Sequence, residues 1–162
     1  MPAKYSDAEI ARMTSERKRL PEDYRSRVQL HDKRGHKERE LDIVGEYGTQ
    51  YHLILRQSNF STLDFSIILA VSPVDSSLLF RLRRYNGKSH EHTNQIEGDT
   101  FYDFHIHQAT ERYQESGARE DAFAESTGRY ADFHSALRCM LEDCGFEAPQ
   151  GAQASLFGES DL

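Results

Sequence analysis

The chain has no tryptophan, only two cysteines and four prolines in 162 residues, and no apolar run of membrane-spanning length. Each shortage removes a class of protein. Cys139 and Cys144 cannot make a disulfide framework, and their spacing suits neither a redox Cys-x-x-Cys pair nor a zinc knuckle, so both are expected to be reduced thiols. Without about 20 consecutive apolar residues no membrane span is expected. The opening Met-Pro-Ala-Lys-Tyr lacks the apolar region of a secretion signal, so a cytoplasmic address is expected. Positive charge is also short. Twenty Lys and Arg face 27 Asp and Glu, and a net charge of −7 argues against coating duplex DNA through an overall positive field. The basic residues concentrate in 12–39 and 81–88, whereas the acidic excess falls beyond Glu91, so any contact with phosphate should be confined to one face.

The length suffices for one hydrophobic core without staples. Ser6-Asp7-Ala8-Glu9 reads as a capping box opening a helix that Pro21 ends. Residues 27–30 and 40–44 flank the basic turn Lys33-Arg34-Gly35-His36-Lys37, which predicts a hairpin. Strand signals follow at 51–56, 63–71, 78–85 and 100–107. The second of these is apolar on both faces and should be central. Beyond His107 the period becomes helical: a short helix at 109–115 broken at Gly117, a turn at 119–125, and an amphipathic helix at 127–144 capped by Gly145-Phe146. Strands followed by helices predict an α+β fold, an antiparallel sheet of about five or six strands with the N-terminal and C-terminal helices on one face. One domain is expected over residues 1–148 and a flexible tail over 149–162.

Four of the eight histidines and the densest arginine cluster lie between residues 78 and 110. Strict alternation would point Leu78, Phe80 and Leu82 one way and Arg81, Arg83 and Tyr85 the other. It would set Tyr102, Phe104 and Ile106 against Asp103, His105 and His107. Paired as a hairpin, the strands would gather Arg81, Arg83, His105 and His107 on one exposed face. A loop over 86–99, about fourteen residues long, would arch over its end; connections of that length tend to carry function.

Three chemistries fit such a face. In the first, which requires no cofactor, Arg81, Arg83, Arg84 and Lys88 hold phosphate, His105 or His107 transfers a proton, and Asp103 or Glu111 orients the ring, as a metal-independent nuclease needs. The second places a divalent metal on His90, His92 and Glu97, with His105 and His107 as further imidazoles. The third is non-catalytic: a polar network braces the sheet, and the protein binds another protein as an antitoxin or inhibitor does.

His90-x-His92-x4-Glu97 resembles the first metal motif of the cupin barrels, but Gly98 follows Glu97 directly and a second motif is missing. Arg129-x4-His134 resembles the ribonuclease motif of the HEPN families, which are helical bundles, contrary to the strands here. Tyr85 to Asn94, with Phe104-His105-Ile106-His107, is similar to a group of small bacterial proteins to which no activity is attached, and implies a bacterial or phage source. Gln153-Ala154-Ser155-Leu156-Phe157 resembles the bacterial sliding-clamp-binding pentapeptide Gln-Leu-(Ser/Asp)-Leu-Phe, departing from it at Ala154. That resemblance implies that Gln153, Ser155, Leu156 and Phe157 bind a sliding clamp through an extended segment. The combined expectation is an accessory protein of replication, repair or defence, associated with nucleic acid and recruited by the clamp. The alternatives are an interaction module and a His/Glu metal-dependent enzyme.

Overall fold

In the computed structural model, which describes residues 3–149, the elements run in chain order as follows. Helix α1 (Asp7–Ser15) precedes strand β1 (Lys18–Arg19), helix α2 (Tyr24–Arg27), and strands β2 (His31–Asp32), β3 (His36–Val44), β4 (Gln50–Ser58), β5 (Phe65–Val71) and β6 (Phe80–Asn86). Strands β7 (His92–Thr93), β8 (Thr100–Phe101) and β9 (His105–Gln108) follow, then α3 (Glu111–Glu115), β10 (Phe123–Ser126), α4 (Phe133–Asp143) and β11 (Phe146–Glu147).

The capping box forms as the sequence requires: Ser6 Oγ accepts from the Glu9 amide, and the Glu9 carboxylate accepts from the Ser6 amide. The helix stops short of Pro21 because Lys18 turns inward. Its buried ammonium lies 2.7–3.0 Å from the carbonyl oxygens of Met13, Thr14, Glu16 and Cys144. One cation thus satisfies free carbonyls at the ends of both α1 and α4.

Seven antiparallel strands form the main sheet in the order β10-β9-β6-β5-β4-β3-β2, with the doubly apolar β5 at its centre. One face carries Leu41, Leu53, Leu55, Phe65, Ile67, Leu69 and Leu82, packed under Ile10 and Met13 of α1 and Leu137, Met140 and Leu141 of α4. Each such side chain stabilises the fold by roughly 1.5–3 kcal/mol through burial. The fold is α+β with helices on one face, as expected. The sheet is wider than expected because part of the 119–125 region, read as a turn, is strand β10, and α4 starts only after its Asp132 cap. Among the described residues no helix is long and apolar enough to cross a membrane.

A bulge in β6 positions the site. Leu69 pairs with Arg83 but Ala70 pairs with Arg81, leaving Leu82 as the extra residue. Leu82 and Tyr85 are both fully buried yet three apart, so strict alternation cannot bury both and the strand slips by one. Arg83 moves to the helix-covered face, where it donates to Tyr85 Oη (3.2 Å) and approaches Asp143. Arg84 and Asn86 take the opposite face, paired with His107 and His105 of β9. The shared exposed face expected for Arg81, Arg83, His105 and His107 is therefore not formed: Arg83 is across the sheet, and both histidines are buried.

Candidate metal centre

The chain leaves β6 at Gly87, where an added Cβ would stand 1.8 Å from the Leu63 carbonyl oxygen, so only glycine fits against β5 here. The loop then folds back over the open sheet face. Buried Asn94 fastens it to β10: its Oδ1 accepts from the Ala124 amide (2.9 Å) and its Nδ2 donates to the Ala124 carbonyl (2.8 Å). Ala124 pairs with His107, so the clamp pins the loop along the outer edge of β10, one strand away from the β9 histidines.

Under this loop His92, His105 and His107 converge. Their ring centroids lie 5.4 Å (His92 to His105), 4.9 Å (His92 to His107) and 5.0 Å (His105 to His107) apart. One ligand atom of each lies within 4.8 Å of the other two. The outer hydrogen bonds fix the tautomers. His105 Nδ1 donates to the Asp103 carbonyl (2.8 Å) and His107 Nδ1 to the Asp121 carbonyl (2.7 Å); a carbonyl only accepts, so each Nε2 keeps its lone pair, and that of His105 faces Asn86 Nδ2 at 3.4 Å, a weak contact that a metal would displace. Asn94 is oriented by Ala124, so His92 Nε2 (2.9 Å from Asn94 Oδ1) is the donor there, and Nδ1 is left free. Burial first of all holds His105 down to about 4 and His107 down to about 2, with the Arg84 charge adding to the second. Both rings are neutral at pH 7, the state that ligates metal. Three converging imidazoles, each tied outward through one ring nitrogen and two of them held neutral by burial, are the donor set and second shell of a zinc-type site. Tetrahedral zinc at about 2.0–2.1 Å per nitrogen needs the donors to draw in by roughly an ångström, a movement that His92, on the loop, can supply.

Arg84 flanks the triad. Its Nε is 3.2 Å from Oδ2 of fully buried Asp121, but off the hydrogen-bonding direction, so neither group has an aligned partner. Arg119 reaches the other Asp121 oxygen at 3.8 Å.

The remaining sequence candidates are dispersed. Exposed His90 sits at the rim, its ring 5.5 Å from that of His105. Glu97 turns away from the histidines to Arg112 and Tyr113, so the cupin-like His-x-His-x4-Glu set is not assembled; the third donor comes from β9 instead. Asp103 serves His105 through its backbone carbonyl while its own side chain is exposed. Glu111 is tied to Asp7, each accepting from the other's amide, which docks α3 to α1. Arg81 donates its backbone amide to Glu120, and exposed Lys88 donates its own to Leu63. Arg129 forks onto Asp143 from outside α4, so the Arg-x4-His motif does not lie on one helix. Gln153, Ser155, Leu156 and Phe157 lie outside the described residues. Sequence reasoning gave Asn94 and Asp121 no role at the site; they stand in a loop and a turn, where a polar residue is the ordinary choice and carries no signal.

No family model matches the chain, and comparison with curated proteins and with solved structures finds no match either.

Proposed function

We propose that the protein binds one first-row transition-metal ion, best fitted by zinc, on His92, His105 and His107, and uses it for metal-assisted hydrolysis. The observation that carries this reading is the convergence of three imidazoles, each tied outward through one ring nitrogen so that the other can face a common point. With three protein ligands a bound zinc would keep a fourth position open, and the chemistry it would supply there is activation of water for hydrolysis. Arg84 stands beside it as a cation for an anionic substrate group. The metal-free nuclease reading is less well supported, since rings held neutral and buried are poor general acids at pH 7.

Cobalt(II) titration of the full chain tests the reading. One equivalent should bind with the intense visible bands of a low-coordinate site, and the loaded protein should hydrolyse bis(p-nitrophenyl) phosphate faster than the chelated protein does. His92→Ala, a change on the loop, should abolish both. Uptake unaffected by that variant would place the metal elsewhere.

The tail supports a second proposal, independent of the metal: recruitment to a bacterial sliding clamp through Gln153-Ala154-Ser155-Leu156-Phe157, giving a nucleic-acid-associated accessory role. A peptide of residues 149–162 should bind a bacterial clamp in calorimetry, and Leu156→Ala/Phe157→Ala should remove the signal. Equal binding by both peptides would end that proposal.

A further inference from the structure

A second constellation lies on the same open sheet face, in β3, β4 and the residue after β5. Asp42 and His52 are directly opposite each other across β3 and β4, and His52 is opposite Ala70 of β5. His52 Nδ1 is 2.7 Å from Asp42 Oδ1, and its Nε2 is 2.7 Å from Ser72 Oγ. A carboxylate accepts only, so the ring proton sits on Nδ1, and Nε2 accepts from the serine hydroxyl. This is the hydrogen-bond chain of a serine nucleophile, its general base and an orienting carboxylate, a constellation identified by geometry and not by sequence order. Neighbouring residues on that face supply a place for a substrate. Ile54 and Ala70, each two positions from a member of the chain, line a cavity of about 380 Å³ together with Leu78, Leu79 and the charged Arg81, Arg119 and Glu120.

We propose that Ser72, His52 and Asp42 form a second, metal-independent catalytic site that hydrolyses esters of small apolar acids, with the acyl group in the Ile54/Ala70 cavity. Ser72 Oγ bonds to the ester carbonyl carbon as its proton passes to His52 Nε2. The C–O bond to the alcohol then breaks, and the alkoxide leaves with that proton. Water repeats the exchange: its oxygen bonds to the acyl carbon, its proton returns through His52, and the carboxylic acid departs, restoring the serine. Arg81 is the cation that takes the developing oxyanion. Asp42 is a positioning residue that keeps Nδ1 protonated and the ring in register.

The test uses the full chain in excess chelator, so that the histidine centre contributes nothing. A fluorophosphonate probe should label Ser72, located by peptide mass spectrometry, and p-nitrophenyl butyrate should turn over. Ser72→Ala should abolish both. His52→Gln, which retains the serine, should cut labelling and turnover by about a hundredfold or more, the range of a general base. Asp42→Asn should lower kcat about tenfold with KM unchanged, and Asp42→Glu should restore most of it; loss of mere structure would not give that split. All three side chains are at the sheet surface, and circular dichroism checks that each variant folds. Labelling absent from the wild type, or equal in wild type and His52→Gln, would overturn the proposal. Activity that appears only with added metal would also overturn it, and would assign the turnover to the histidine centre.

Discussion

Saturating zinc is expected to raise the melting temperature of the full chain by about 10 °C, a gain that His92→Ala removes. Zinc binds the folded state because the three donors converge only there: His92 comes from the loop, and His105 and His107 from β9. A ligand at a thousand times its dissociation constant stabilises by about 4 kcal/mol, and a domain of this size gains roughly 2–4 °C per kcal/mol. His92 is the informative position, since it is half-buried on the loop and its loss leaves the sheet intact. Differential scanning calorimetry with zinc and with chelator measures the effect. An unchanged melting temperature at saturating zinc would contradict it.

The metal-free protein should lose stability steeply between pH 6.5 and 4. His105 and His107 have folded values of about 4 and about 2 against an ordinary 6.5, so in this window the unfolded chain binds protons that the folded chain does not. Stability therefore falls as pH falls, with a slope approaching two protons per pH unit. The loss begins near 6.5. For His105 it is complete near 4, and for His107 it continues toward 2. The cumulative loss by pH 4 is on the order of 5 kcal/mol, comparable with the whole stability of many domains. Glu97 and Asp143 are both held below their ordinary values of 4.5 and 3.8, so their contributions are lost only at lower pH. Urea unfolding of chelated protein at half-unit pH steps gives the slope. A flat profile from pH 6.5 to 4.5 would mean that the two rings can protonate without leaving their places.

The physical reasons for what the sequence showed differ between elements. Capping chemistry is local, so Ser6 to Glu9 reads directly as a helix start, and Gly145 as a helix end with positive φ. The centrality of β5 follows from its apolar character on both faces. The bulge was hidden because alternation is a rule of regular strands, and only the need to bury both Leu82 and Tyr85 breaks it. That single slip exchanged Arg84 for Arg83 beside the histidines. His105 and His107 were legible as face partners from their spacing, but their burial was not. It depends on Asn94 bonding to Ala124, thirty residues away in a strand that propensity alone does not mark. The Asp42, His52 and Ser72 chain was illegible for a related reason, since its members belong to three separate segments and meet only through register.

Zinc K-edge absorption on stoichiometrically loaded full chain tests the metal centre most directly. The account predicts three imidazole nitrogens at about 2.0–2.1 Å with one further light-atom ligand, and no such shell in His92→Ala, which fails to load. A shell made mostly of oxygen donors, sulfur from Cys139 or Cys144, or a spectrum unchanged by His92→Ala would contradict it.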